Sequence, residues 1–460
     1  MMKEQLQREE IITADFIQRS AAMVVGHSKI QDDLYQQYDV KRGLRNTNGT
    51  GVRVGLTRIG DVVGYSVNEQ NQRVPSEGKL YYRGYDVEDL VNNCLAEDRF
   101  GYEETSYLLL FGKLPNKEEL AEYSRILGKK RELPTGFARD MILTAPSKNV
   151  MNKLARSVLA LYSYDNNPDD TSLENLIRQS IDLIGHFPSF VAYGYQAKRS
   201  FYNNESLHIH YPDEDLSTAE NILRLIRPTG EYTKLEAKLL DICLILHAEH
   251  GGGNNSTFTT HLVSSSGTDT YSAIAAAVGS LKGPKHGGAN LEVLEMIADL
   301  KKNVKDITNK KEVEDYLMKV LKGEANDRTG LIYGIGHAVY TISDPRAKVL
   351  KGMAKKLAEA KGMLDEYMLH EYIEESAPRL FREYRNTDKL LSANVDLYSG
   401  FVYNALNIPM DIATPLFAAA RISGWCAHRI EEVHVAGRIM RPAYLCVQPQ
   451  MPYVSLEDRD

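Results

Sequence analysis

Cysteine, tryptophan and proline are scarce in this chain: its 460 residues hold 4, 1 and 16 of them. The cysteines (Cys94, Cys243, Cys426 and Cys446) lie far apart with no C-x-x-C pair. No disulfide framework is implied, and a reducing compartment fits. Cys243 falls in the apolar run Leu239–Leu246 and reads as a buried thiol. Long hydrophobic runs are missing too, since no stretch approaches the ~20 apolar residues of a membrane span. The N-terminus, Met-Met-Lys-Glu-Gln-Leu-Gln-Arg-Glu-Glu, lacks the apolar core of a signal peptide and is too acidic for a transit peptide. A basic excess is also absent. The net charge of −7 argues against nucleic acid as the main partner, although a positive pocket on such a protein can still hold a small anion. A soluble cytoplasmic protein is expected, with neither nucleic acid nor membrane as partner.

What is present is the composition of an ordinary globular protein, 43% hydrophobic and 25% charged, with length enough for two domains. Residues 1–45 are polar and helix-prone, and Asn46-Thr-Asn-Gly-Thr-Gly51 marks a turn-rich boundary. Short β-like runs between Val52 and Tyr85, broken by glycine and charge, predict a small sheet at most. Beyond them the hydrophobic period is helical. It predicts helices over Lys117–Lys129 and Leu173–Phe187, the second stopped by Pro188. Ser217-Thr-Ala-Glu220 is a capping box opening a helix over Thr218–Ile226. Another helix covers Leu235–Glu249 and ends at Gly251-Gly-Gly253. Asp344-Pro345 caps a helix over Arg346–Ala360 that stops at Gly362, and Thr414-Pro415 reads as the same device ahead of Leu416–Val433. Glycine and proline punctuate helices here rather than a βαβ alternation. The fold is therefore α-rich, and neither a Rossmann fold nor a TIM barrel is expected. There is no internal repeat and no low-complexity segment.

Chemistry-bearing residues are spread over almost 200 positions. His247 and His250 are spaced i, i+3 at a helix C-terminus, where the dipole favours a protonated imidazole. A zinc protease would need H-E-x-x-H; H-A-E-H with no evident third ligand does not supply it. Two satisfied structural histidines are the plain alternative, but the following Gly-Gly-Gly-Asn-Asn-Ser-Thr offers backbone amides that suit an anion. His286, in Gly-Pro-Lys-His-Gly-Gly-Ala-Asn290, precedes an amphipathic helix over Leu291–Leu300. A helix N-terminus disfavours its cationic form, and a neutral imidazole N–H can donate to a carbonyl oxygen that is becoming an enolate. His337 sits in Gly-Ile-Gly-His-Ala-Val-Tyr, and no G-x-G-x-x-G nucleotide motif accompanies it. Arg346, in the first turn of its capped helix, reads by itself as a surface arginine. Asp396, in Asn-Val-Asp-Leu-Tyr-Ser-Gly, is either a burial-tuned general base or the N-cap of a helix running through Ala405. Arg421, Gly424 and His428 share a helix face, and Arg441-Pro442 follows a polar connector. Arginines that converge can hold carboxylates bidentately.

Taken in order, these motifs resemble citrate synthase of the Si-face kind, and Leu80-Tyr-Tyr-Arg-Gly-Tyr85 resembles a further segment of that family. The resemblance covers about residues 50–450 and implies a mostly α, multi-helical homodimer. It implies an N-terminal arm (1–45), a large domain (46–289 and 404–460) and a small domain (290–403) that closes over the active site. His250, His337, Arg346 and Arg421 would be the oxaloacetate ligands, with Arg441 reaching the neighbouring subunit's site. Asp396 would take a methyl proton from acetyl-CoA while neutral His286 hydrogen-bonds the thioester oxygen. His337 would polarise the ketone, and hydrolysis of the citryl thioester would give citrate and CoA. Leu331, Ile332, Tyr333, Gly334, Ile335 and Gly336 resemble the main-chain segment that meets the CoA adenine. No metal and no cofactor beyond the acyl-CoA substrate is implied, because His286 and His337 supply the electrophilic stabilisation. His247 is left as a structural residue.

The chain departs from that pattern at Gly251–Gly253, where the family carries a charged or polar residue after the second histidine. The first ~45 residues have no match, and no segment resembles the NADH-binding domain of allosteric members. Three alternatives stand beside this reading. One is 2-methylcitrate synthase, the same chemistry with propionyl-CoA, which one methylene's worth of discrimination (~1–3 kcal/mol) would decide without changing the motifs. The others are a non-catalytic helical scaffold and a metal hydrolase built on His247 and His250.

Overall fold

The computed structural model describes residues 13–46, 50–70 and 72–459. The chain divides into two compact units, one ending at Leu56 and the other beginning at Thr57. In the first unit the helix-prone sequence forms helices Ala14–Ser28 and Asp32–Gln37, neither of which buries a residue. Thr13 caps the first by accepting the Phe16 N–H. Residues 1–12 of the expected arm and 47–49 of the expected turn lie outside the described residues.

Among the described residues the second unit is mostly helical, with one antiparallel sheet. Strand β1 (Gly60–Val67) pairs with β2 (Arg73–Tyr82), and β2 with β3 (Tyr85–Asp86). Val52–Leu56, read as β-like, is not a strand. The hairpin is held against the loop that carries His337. The register shifts between Val63 and Tyr65, a bulge at Gly64 where an added Cβ would stand 2.4 Å from the Val339 carbonyl oxygen. At Gly78 a Cβ would stand 2.1 Å from the Ser343 carbonyl oxygen, so only glycine lets the two backbones meet there. At the far end of β2, buried Tyr82 donates its hydroxyl to the Ile245 carbonyl at 2.9 Å and lies 3.1 Å from that of Glu249. It thereby ties off the C-terminal turn of helix Lys234–His247.

Helices Lys117–Lys129 and Thr218–Ile226 have the predicted bounds, each opened by a capping box. Helix Pro345–Lys361 begins at its Asp344 cap and stops at left-handed Gly362, φ 67°. The expected stop at Pro188 is wrong: the helix runs unbroken from Leu173 to Asn203. Proline removes one backbone donor, but every residue from Leu183 to Ala197 is buried, and that packing outweighs the lost hydrogen bond. Thr414-Pro415 is not a cap either. The helix spans Ala413–Glu431, so both residues lie in its first turn, where the amides have no intrahelical acceptor and proline is tolerated. This helix is the centre of the unit. Of its 19 residues, 15 are buried, and it packs on helices Leu173–Asn203, Lys234–His247, Asn255–Ser264 and Thr270–Lys282. Among the described residues no helix is long and apolar enough to cross a membrane.

Candidate active site

The chain end of Lys234–His247, the hairpin-bound loop and the central helix bring four of the sequence-predicted residues together. The rings of His250 and His337 meet edge to face at 5.1 Å. Both lie on Tyr340, at 5.6 and 4.6 Å between centroids, and the Arg346 guanidinium stands 5.7 Å from the same ring. Arg346 is 3% exposed, so the surface reading of it was wrong. Its Nε and Nη2 donate to Asp344 at 3.0 and 2.8 Å, and the Asp344 carboxylate also accepts the Arg346 and Val395 amides. Burial alone would weaken the guanidinium charge; the Asp344 carboxylate more than offsets this and holds Arg346 above its ordinary range. Nη1 is left outside that fork.

Arg421 has no such partner. Fully buried, it stands 4.7 Å over Phe417 and donates Nε to the His247 carbonyl at 2.6 Å, while Nη1 and Nη2 meet no acceptor among the described residues. Burial pushes its pKa down to about 10, against the opposing pull of Glu249. A buried cation with two idle donors is costly unless an anion completes it. His250 Nε2 is likewise buried without a partner. The expectation that the helix dipole would protonate His247 and His250 fails. Burial first, then the Arg346 and Arg421 charges, hold both well below the imidazole range, an effect far stronger than a helix end supplies. His247 itself packs on Phe417, 4.5 Å between centroids, and serves the site through its carbonyl.

Two other imidazoles have fixed tautomers. His337 Nδ1 accepts the amides of Val339 at 3.0 Å and Tyr340 at 3.1 Å, so the ring's proton is on Nε2. His286 Nε2 accepts the Ser256 amide at 3.3 Å and lies 2.9 Å from the Ser256 hydroxyl, which places the proton on Nδ1. Trp425 Nε1 in turn donates to that hydroxyl at 3.2 Å. His286 occupies a short helical turn, Pro284–Gly287, directly ahead of helix Ala289–Asn303. Its pKa falls to about 4, through burial and then the Arg421 charge. The expected neutrality holds, with burial rather than a helix end as the leading cause.

Asp396 is the second residue of helix Val395–Ala405, and Asn394 is the cap. It is partly buried. Burial raises its pKa to about 6, although Arg346 and Asn290 pull the other way. The segment 331–336 runs beside it: the Gly334 carbonyl accepts the Asn394 amide at 2.9 Å, and the Gly336 amide donates to Ser392 at 2.7 Å. Leu331, Ile332, Ile335 and Gly336 line a cavity of about 230 Å³, with Phe381 and Lys389 opposite. Tyr333 instead donates to Asp327 at 2.5 Å. Arg441 is not brought to these groups; it lies exposed on the extended C-terminal segment. Sequence reasoning missed Ser256, Tyr340 and Lys389, and read Asp344 only as a cap. Ser256 and Tyr340 did carry a signal, in the Gly-Gly-Asn-Asn-Ser run after His250 and at the end of Gly-Ile-Gly-His-Ala-Val-Tyr.

Comparison with known proteins identifies the family. Residues 47–443 match the family model described as citrate synthase, C-terminal domain. A citrate synthase of Haloferax volcanii is 34% identical over 410 residues, 88% of this chain and 94% of that protein. A 2-methylcitrate synthase of Shewanella oneidensis is 31% identical, covering 81% and 90%. Among solved structures, citrate synthase from Pyrobaculum aerophilum superposes with a TM-score of 0.73 at 30% identity, covering 89% of this chain and 94% of that one. The ternary complex of Thermoplasma acidophilum citrate synthase with carboxymethyl coenzyme A and oxaloacetate gives 0.72 at 27% identity, covering 91% and 99%. Sequence, fold and the extent of these matches lead to one conclusion: the chain belongs to the citrate synthase family.

Proposed function

We propose that this enzyme condenses acetyl-CoA with oxaloacetate and hydrolyses the resulting citryl-CoA to citrate and CoA. The observation that carries the reading is the pair of neutral imidazoles with set tautomers, His286 offering Nδ1–H and His337 offering Nε2–H. Asp396 takes the proton from the acetyl methyl group while His286 Nδ1–H donates to the thioester oxygen, which spreads the developing charge. The enol carbon then attacks the ketone of oxaloacetate, and His337 Nε2–H donates to the oxygen that becomes the hydroxyl. A base with a pKa of about 6 is ionised at neutral pH yet still accepts a proton readily. The Nη groups of Arg421 and Nε2 of His250, without partners among the described residues, hold the carboxylates together with Arg346. Water then cleaves the thioester. These steps are assigned to side chains and need neither metal nor cofactor.

The cavity beside Leu331–Gly336 is assigned to the CoA adenine, with Lys389 as a cation for its phosphates. Residues 290–403 are read as the part that closes over the substrates, since an open site would expose the thioester to wasteful hydrolysis. Arg441 is assigned to the site of a second copy in a homodimer. In support, the segment that carries it is extended and exposed, with Tyr444 at 96% and Tyr453 at 86%, more aromatic surface than a lone chain ordinarily leaves in water. A second substrate reading, propionyl-CoA to 2-methylcitrate, is favoured by the relatives that carry that name. Release of free CoA, measured with oxaloacetate and a panel of acyl-CoAs, decides between them. The highest kcat/KM is expected with acetyl-CoA, and a clear preference for propionyl-CoA would overturn the assignment.

A further inference from the structure

Apart from the substrate-facing histidines, the unit buries a second histidine pair. His261, on helix Asn255–Ser264, meets His428, near the end of Ala413–Glu431, with 2.9 Å between Nε2 and Nδ1. Each ring has a buried carboxylate on its far side. His261 Nδ1 is 2.8 Å from Glu432 Oε2, and His428 Nε2 is 3.0 Å from Glu249 Oε1, at ion-pair distance but off the ring N–H axis. Glu249 and His428 are fully buried, and His261 and Glu432 nearly so. A third carboxylate, Glu431, brings Oε2 to 3.9 Å from His428 Nδ1 and has no hydrogen-bond partner for that oxygen. Its Oε1 accepts the Arg58 amide at 2.9 Å.

The proton on each ring decides what can lie between the two facing nitrogens. A carboxylate oxygen accepts, so His261 Nδ1, hydrogen-bonded to Glu432, carries the proton; His428 Nε2 makes no such bond, and only the nearby Glu249 charge favours a proton there. With Nδ1–H of His261 toward Glu432 and Nε2–H of His428 toward Glu249, two lone pairs face each other across 2.9 Å. Lone pairs at that distance repel unless a positive species lies between them. One shared proton would serve, and so would a metal ion that takes both nitrogens as ligands. Carboxylates behind the imidazoles are the feature that orients histidines for a metal and raises their basicity.

We propose that His261 Nε2, His428 Nδ1 and Glu431 Oε2 bind a divalent transition metal of the zinc class, with Glu432 and Glu249 as outer carboxylates. The three ligand atoms lie within 4.8 Å of one another. Bonds of ~2.0–2.2 Å in a tetrahedral site put neighbouring ligands ~3.4 Å apart, so the histidines part slightly and the glutamate closes in. Two imidazoles and a carboxylate suit zinc better than calcium or magnesium. Gly252 covers the pair, where a Cβ would stand in ordinary contact, 3.7 Å from His261 Nε2, His428 Cε1 and Thr57 Cγ2. Binding displaces the shared proton to solvent, one proton for each metal ion. The ion would pin helix Asn255–Ser264 to the end of the central helix, next door to His250 through Glu249.

The test uses the full-length protein after chelator treatment. Zinc chloride is titrated by calorimetry in buffers of different ionisation enthalpy, and cobalt(II) chloride by visible absorption. Expected are one ion per chain, release of about one proton and a cobalt ligand-field band of tetrahedral intensity. Glu431→Gln keeps an acceptor for Arg58 and should weaken zinc binding at least ~10-fold, and Glu432→Gln by ~10–100-fold, with unchanged circular dichroism. Absence of zinc binding, or affinities equal in wild type and both variants, would overturn the proposal. So would a histidine proton resonance at neutral pH that persists at saturating zinc and shows the pair sharing a proton. None of these readouts involves citrate formation, so failure here leaves the proposed reaction standing, and failure of that reaction leaves this site standing.

Discussion

Replacing Asp396 by asparagine should make the protein more stable and much less active. Burial raises the Asp396 pKa from an ordinary 3.8 to about 6, so the fold favours the protonated carboxyl and works against the ionised one. Stability associated with that group is complete below pH 3.8 and is lost as pH rises through about 6. At ~1.36 kcal/mol per pH unit the loss reaches about 3 kcal/mol at neutral pH. Asparagine has the size of the protonated acid and never ionises, so Asp396→Asn avoids the loss. Urea unfolding of wild type and variant at several pH values should show a gap of about 3 kcal/mol at pH 7.5, roughly half of that at pH 5, and almost none near pH 3.8. Over the same range, CoA release by the variant should fall by ~10²–10⁴-fold, while the wild-type kcat/KM should rise with pH through about 6. A variant that is less stable than wild type at pH 7.5, or a stability gap that does not shrink with acid, would refute the reasoning.

Three further outcomes follow from other parts of the site. Arg421→Lys exchanges a buried fork for a point charge; KM for oxaloacetate should rise by more than ~10-fold, and the thermal stabilisation that oxaloacetate gives the wild type, ~2.7 kcal/mol at a hundred times Kd, should largely vanish in differential scanning fluorimetry. Gly78→Ala drives a methyl group into the Ser343 carbonyl and the Tyr340 ring and should cost ~1–3 kcal/mol in urea unfolding, with a higher KM for oxaloacetate because the His337 loop shifts. Arg441→Ala should leave stability within ~0.5 kcal/mol, as at an exposed site, yet lower kcat/KM; under the proposed homodimer, co-refolding it with Asp396→Asn should restore activity, since one site of a mixed dimer would regain both residues. No recovery in the mixture would remove Arg441 from the neighbour's site.

Local signals were legible where the chemistry is local. The capping box at Ser217 and the glycine stop at Gly362 mark helix ends because the groups that satisfy the free amides and carbonyls lie within a few residues. Pro188 misled because its cost is local while its compensation is tertiary, in the burial of fifteen consecutive residues from Leu183 to Ala197. Arg346 looked like a solvated helix arginine because nothing nearby in sequence announces that Tyr340 and His250 fold over it. The second histidine pair was invisible for the same reason: His261 and His428 are 167 residues apart, and neither stands in a metal-ligand spacing with the other.

The hairpin sets how these distant parts come into step. Gly78, Leu80 and Tyr82 alternate along β2 and all face inward; Gly78 admits the loop behind His337, and Tyr82 anchors the chain leading to His250. Pairing β2 with β1 one residue out of register would turn all three outward at once. A chain folded with that slip would lose both histidine-bearing segments together rather than one of them. The hairpin thus works as a gauge during folding: partly assembled sites are not an available product, and a population of molecules should divide sharply into competent and inert.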